Sequence, residues 1–89
     1  MNIFVFTKYA KNRFFKLSSS DRERILAKLN ELKNVKNPEL VMRKLKHFKP
    51  ATHRLRVGNF RLILSLEKYQ SGFGEFLILD VGHRRNIYK

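Results

Sequence analysis

The chain has 89 residues, enough for one hydrophobic core and too few for two, so residues 1–89 are expected to form a single domain. It contains no cysteine, which removes disulfides, thiolate metal sites and cysteine nucleophiles together, and no apolar run approaches the roughly 20 residues of a membrane span. Twenty Lys and Arg against seven Asp and Glu give a formal net charge of +13, a field that favours salt-sensitive association with nucleic acid, acidic protein or anionic membrane.

Asn2 to Phe6 is short, β-branched and aromatic, the composition of a strand, and no signal-like stretch precedes it, so a cytoplasmic protein is expected. Thr7 is placed to cap a helix whose Ala10, Phe14 and Leu17 recur at helical spacing, with the lysines and Arg13 mostly off that stripe. Serines 18 to 20 interrupt it. Ser20-Asp21-Arg22-Glu23 has the form of a capping box, predicting a second helix with Ile25, Leu29 and Leu32 on its buried face and an end near Asn34. The two helices should form a hairpin that packs on a sheet.

Asn37-Pro38-Glu39 resembles another helix start, with Asn37 as cap, but leaves room for only a turn or two. Arg43 to Phe48 alternates weakly and fits either an edge strand or a loop. Thr52 to Arg61 is clearer: alternating apolar and basic residues flank Gly58-Asn59, a dipeptide suited to a two-residue hairpin. Its second strand continues through Leu66, Lys68 to Gly74 reads as the next turn, and Glu75 to Val81 is a nearly continuous apolar run expected to be covered on both faces. The predicted fold is α+β: an N-terminal strand and a two-helix hairpin on a small antiparallel sheet of three to four strands.

The hairpin register puts Val57 opposite Phe60, Arg56 opposite Arg61 and Leu55 opposite Leu62, so one face is apolar and the other arginine. Like charges directly opposite one another destabilise a sheet unless an anion lies over them, and the guanidinium fork suits phosphate oxygens. Between Glu39 and Glu67 stand Arg43, Lys44, Lys46, Lys49, Arg54, Arg56 and Arg61, with no acid among them. If the last strand pairs beside the Phe60 strand, His83, Arg84 and Tyr88 arrive near the arginine ribbon, with Arg85 adjacent.

These residue types meet the needs of metal-free RNA transesterification. Arginine stabilises the extra negative charge of a phosphorane, histidine exchanges a proton near neutrality, and tyrosine stacks on a base or transfers a proton. Three histidines and seven carboxylates lie without metal-ligand spacing, and no Gly-rich phosphate loop is present, so neither a metal nor a cofactor is expected. His53 shares the apolar parity of Leu55 and Val57 and is expected to be packed.

The order of elements, with His-Arg-Leu-Arg-Val-Gly-Asn-Phe-Arg-Leu-Ile-Leu at residues 53–64 and Val-Gly-His-Arg-Arg-Asn-Ile-Tyr at 81–88, resembles the RelE/ParE superfamily of type II toxins over nearly the whole chain. The resemblance to the RelE branch implies a ribosome-dependent endoribonuclease that cuts mRNA in the decoding site and is neutralised by an acidic antitoxin. It implies that Arg54, Arg56, Arg61, Arg84 and Tyr88 form the catalytic set, with His83 beside them, and the basic residues around that set, Arg43, Lys44, Lys46, Lys49 and Arg85, are expected to contact RNA. The first two positions are lysines in the RelE pattern, and an arginine does not give up a proton as a lysine can, which raises the standing of His83. ParE members share the fold but inhibit DNA gyrase without nuclease activity, and that is the alternative, together with an inactive basic RNA-binding relative.

Overall fold

The computed structural model describes residues 1–85. Its elements follow the chain as β1 (Ile3–Phe6), α1 (Lys8–Phe15), α2 (Ser19–Leu32), a 3-10 turn at Pro38–Val41, β2 (Arg43–Lys44), β3 (His53–Val57), β4 (Phe60–Gln70) and β5 (Phe73–His83). The strands form one sheet in the order β1-β5-β4-β3-β2. One of these strands extends the expected sheet, since β1 joins it and makes five, while the edge-strand reading of the segment from Arg43 holds for two residues, β2. The sheet is also mixed, because β1 runs parallel to β5 while the other pairings are antiparallel. The α1–α2 excursion carries the chain from β1 to the opposite edge of the sheet, and the antiparallel run β2-β3-β4-β5 then brings β5 back beside β1 in parallel.

Thr7 caps α1 as its position predicts, its side-chain oxygen accepting the Ala10 N–H at 3.1 Å. The cap of α2 is Ser18 rather than Ser20. Its Oγ accepts from the Asp21 N–H at 3.2 Å, so the helix begins at Ser19 and Asp21 falls in the first turn, where the helix dipole favours it. This start also lets Arg22 donate to the carbonyls of Leu17 and Phe15 at the end of α1. Asn37 does not cap by its side chain. It takes the left-handed conformation with φ 58°, and its Oδ1 accepts the Tyr69 hydroxyl at 2.6 Å.

Both helices lie on one face of the sheet. Ala10, Phe14, Ile25, Leu29 and Leu32 pack with Leu55, Val57, Phe60, Leu62, Leu64, Phe76, Ile78 and Val81 in one cluster, and Phe4 stacks on Phe76 with centroids 5.2 Å apart. β5 is therefore not covered equally on its two faces. Phe76 and Ile78 are buried under the helices, whereas Leu77 and Leu79 are half-buried. The turn predicted for residues 68–74 contracts to Ser71-Gly72, both at positive φ (54° and 87°), and the polar residues before it continue β4 where the sheet projects past the core.

Gly74 is required for space. A Cβ there would lie 2.8 Å from Phe76 Cε2 and 2.9 Å from Leu66 Cδ1, inside the core. Gly74→Ala is expected to cost about 1–3 kcal/mol of unfolding free energy through overpacking, read by denaturant titration. An unchanged midpoint would show that the two side chains yield without strain.

Candidate functional site

β3 and β4 carry the site because their register is fixed by the apolar parity of one face. The observed pairs are Val57 with Phe60, Arg56 with Arg61 and Leu55 with Leu62, as the sequence predicts, and the chain reverses through Gly58 at φ 59°. Leu55, Val57, Phe60 and Leu62 point to the helices, so Arg54, Arg56 and Arg61 stand on the opposite face. β2 then adds a fourth arginine. Arg43 pairs with Arg54, so Arg43, Arg54, Arg56 and Arg61 occupy adjacent positions on three strands, with paired Cα atoms about 4.5–5.5 Å apart.

The four are not equivalent. Arg43 and Arg56 are exposed, Arg54 is half-buried, and Arg61 retains only 9% of its accessible surface. The Arg61 guanidinium is held at the hairpin end, where Nη1 donates to the carbonyl oxygens of Phe60 (3.1 Å) and Gly58 (3.3 Å). Burying a guanidinium is costly, and the two backbone carbonyls fix its orientation, so this position holds a preorganised guanidinium fork at the hairpin end.

The end of β5 meets the same turn. The Arg84 N–H donates to the Asn59 carbonyl at 2.8 Å, which fixes the start of the C-terminal segment against the hairpin tip. Arg84 and Arg85 are exposed. His83 pairs with Phe60 across the strands, and its ring stands edge-on to the Phe60 ring with centroids 5.8 Å apart. The His83 side chain therefore lies on the helix-covered face and Arg61, opposite Gly82, on the other. His83 is close to the turn but does not converge on the guanidinium of Arg61, because a strand sends successive side chains to opposite faces. Its Nδ1 accepts the Arg85 N–H at 3.2 Å. Tyr88 lies outside the described residues.

Lys44 pairs with His53, and Lys46 and Lys49 are exposed on the loop joining β2 to β3. Helix α2 contributes a cation that the sequence pattern does not single out: Arg24 approaches the hairpin, with Nη1 3.2 Å from where a Gly58 side chain would begin. Its helical position, off the buried stripe, gives no signal of that proximity. Arg13 also lies off the apolar stripe of its helix. It bridges α1 to β5, bonding Asp80 Oδ1 at 2.9 Å and the Val81 carbonyl at 3.2 Å.

His53 is 7% exposed beneath the ribbon, its Nδ1 2.8 Å from the Thr52 hydroxyl and its ring edge-on to Phe76. Burial lowers its pKa below the ordinary histidine value and Lys44 lowers it further, while Glu39 opposes them. The unfolded chain therefore binds a proton that the folded chain refuses. Stability is expected to be full above about pH 6.5 and to fall as the pH drops through that value, levelling off below the depressed folded-state pKa. Urea titrations of the wild type and His53→Gln across about pH 7.5 to 5 check this. Equal pH dependence in both would assign it to other groups.

Among the described residues, no group of three or more His, Asp or Glu is placed to hold a metal ion, and no helix is long and apolar enough to cross a membrane. The arrangement can bind and charge-stabilise a phosphodiester through four arginines, one of them fixed at the turn.

No protein-family model matches the chain, and no curated protein matches it significantly by sequence. Solved structures do match. The Mycobacterium tuberculosis RelBE2 toxin–antitoxin complex contains a chain that superposes with a TM-score of 0.70 at 22% identity, over 93% of this chain and 98% of that one. The fold is that of RelE toxins. An arginine double mutant of the Escherichia coli toxin RelE in the free state gives 0.67 at 22% identity, over 98% and 87% of the two chains. The intact E. coli RelBE toxin–antitoxin complex gives 0.61 at 21%, over 93% and 96%. The RelE-like architecture thus extends across the described sheet and both helices, at an identity where sequence comparison alone fails.

Proposed function

We propose that this protein is a RelE-like toxin of a type II toxin–antitoxin system, a ribosome-dependent endoribonuclease that cuts mRNA without a metal. The observation that carries the reading is the arginine group on the sheet face opposite the helices, with Arg61 nine-tenths buried and anchored to the hairpin carbonyls. Arginines placed opposite one another on one sheet face cost folding free energy, and their guanidinium forks suit phosphate oxygens. The RelE-like fold and the C-terminal match to the RelE pattern support the choice of RNA as that anion.

In this mechanism the ribose 2'-hydroxyl attacks the adjacent phosphorus, the bond to the 5'-oxygen breaks, and a 2',3'-cyclic phosphate is left. Arg61 and Arg56, with Arg54 and Arg84 flanking, stabilise the phosphorane through paired N–H···O bonds. Proton removal from the hydroxyl and delivery to the departing oxygen are assigned to the carboxyl end, with Tyr88 as the candidate, since His83 stands on the helix-covered face away from the arginines. Arg43, Lys44, Lys46, Lys49 and Arg85 hold flanking phosphates, and an acidic antitoxin neutralises the basic surface.

Primer extension on an actively translated message tests the reading: new 5' ends within the reading frame are expected with the wild type and not with Arg61→Ala. DNA gyrase supercoiling should be unaffected. Inhibited gyrase with intact message would replace the nuclease by a ParE-like activity. A small acidic open reading frame is expected beside the toxin frame.

A further inference from the structure

The loop between β2 and β3 carries a feature that the arginine group does not account for. Phe48 is 58% exposed, which leaves on the order of 100 Å² of an apolar side chain in water. The backbone around it is not loose. The Leu45 N–H donates to the Thr52 carbonyl at 2.9 Å, the Ala51 N–H to the Phe48 carbonyl at 2.8 Å, and the Thr52 N–H to the Leu64 carbonyl at 2.8 Å. Thr52 Oγ1 also accepts the Leu66 N–H at 2.8 Å. The loop is tied to β4 at its base, and the ring is presented rather than shed from the core.

Its surroundings are cationic. Lys46, His47 and Lys49 are on the same loop, Arg43 and Lys44 immediately precede it, and no acidic residue occurs between Glu39 and Glu67. A purely apolar partner would have to strip water from these ammonium groups to reach one ring. A single-stranded nucleic acid brings phosphates for the cations and a base face for the aromatic together. The loop also sits at the end of β3 opposite Gly58, about 20 Å from the hairpin tip for the six residues from Thr52 to Gly58 at roughly 3.4 Å each. A strand lying along Arg61, Arg56, Arg54 and Arg43 leads to it.

We infer that Phe48 is a stacking platform for an unpaired base of single-stranded RNA, flanked by Lys46 and Lys49 on the adjoining phosphates. The inference rests on the RNA-cleaving reading and extends its substrate track beyond the arginine group to the β2–β3 loop.

The chain contains no tryptophan, so Phe48→Trp installs a single reporter in the loop. Titration with a single-stranded RNA oligonucleotide at low salt is expected to quench the emission of this introduced indole in step with the rise in RNA anisotropy. Phe48→Ala should weaken binding by about 5- to 100-fold with an unchanged dependence on salt, since stacking releases no counterions. Lys46→Ala and Lys49→Ala should each instead flatten the slope of log K against log salt by about 0.7. Because these side chains stand outside the core, all four variants should melt with the wild type.

Unquenched emission while anisotropy reports binding, or wild-type affinity in Phe48→Ala, overturns the inference and leaves the nuclease reading intact. Loss of affinity in Phe48→Ala for polyglutamate but not for RNA overturns it in favour of an acidic protein. The nuclease reading stands or falls separately, on in-frame cleavage by the wild type.

Discussion

Arg61→Ala is expected to lower mRNA cleavage by about 10²–10³-fold, the scale seen when a preorganised charge or donor is removed from a developing anion. The expectation follows from burial and position together. Arg61 is nine-tenths buried, its Nη1 is held by the carbonyls of Phe60 and Gly58, and its strand partner is exposed Arg56. A charge already fixed before substrate arrives spends little reorganisation in the transition state. Arg56→Ala removes a solvated side chain and should cost less, about 10-fold. Arg61→Lys keeps the charge and loses the fork, so it should fall between wild type and alanine. Thermal melts of each variant separate folding from catalysis. A folded Arg61→Ala protein that cuts translated message at the wild-type rate would remove this residue from the site.

The ribbon is legible in the sequence because strand periodicity and turn chemistry are local: Gly58 supplies the reversal, and alternation from Leu55 to Leu62 assigns every side chain a face. Arg43 is legible as a basic residue but not as the neighbour of Arg54, since a two-residue strand has no periodicity to read and its pairing joins residues on either side of a loop. The parallel strand β1 is recognisable as a strand but not as part of the sheet, because its partner β5 lies some 70 residues away and is delivered beside it only after both helices and the β2-β3-β4 run. The side of the sheet taken by His83 is hidden for a similar reason. Counting alternation from Glu75 fails at the irregularity where Ile63 and Leu64 pair with Asp80 and Ile78 and Leu79 is the extra residue of β5, and only pairing with Phe60 fixes its face.

The same distance blindness hides Asn2, and it leads to the largest stability effect expected here. Asparagine is poor in strands, and nothing in the run from Asn2 to Phe6 signals a role for it. In the structure it is 2% exposed and fully engaged. Its Nδ2 donates to the carbonyls of Leu32 (2.8 Å) and Val35 (2.7 Å), its Oδ1 accepts the Gly74 N–H at 2.8 Å, and its own N–H donates to the Lys33 carbonyl at 2.7 Å. One side chain thus bonds carbonyls at and just past the end of α2 and a buried amide at the start of β5, joining the helix layer to the sheet. Asn2→Ala leaves the buried Gly74 N–H and the partly buried Val35 carbonyl without partners, while the Leu32 carbonyl keeps the Val35 N–H, at a cost of about 2–4 kcal/mol. For a chain of this size that lowers the melting temperature by about 10 °C or more. Asn2→Asp retains an acceptor for Gly74 but turns a carboxylate toward two carbonyl oxygens, so it should be no better than alanine at neutral pH and should recover partly on acidification, as a protonated carboxyl can donate to one of them. Calorimetry at about pH 7 and about pH 4.5, with exposed Asn30→Ala as the control, measures both effects. A melting temperature for Asn2→Ala within about 2 °C of wild type would mean that water reaches these groups, and that the α2–β5 junction is held by apolar packing alone.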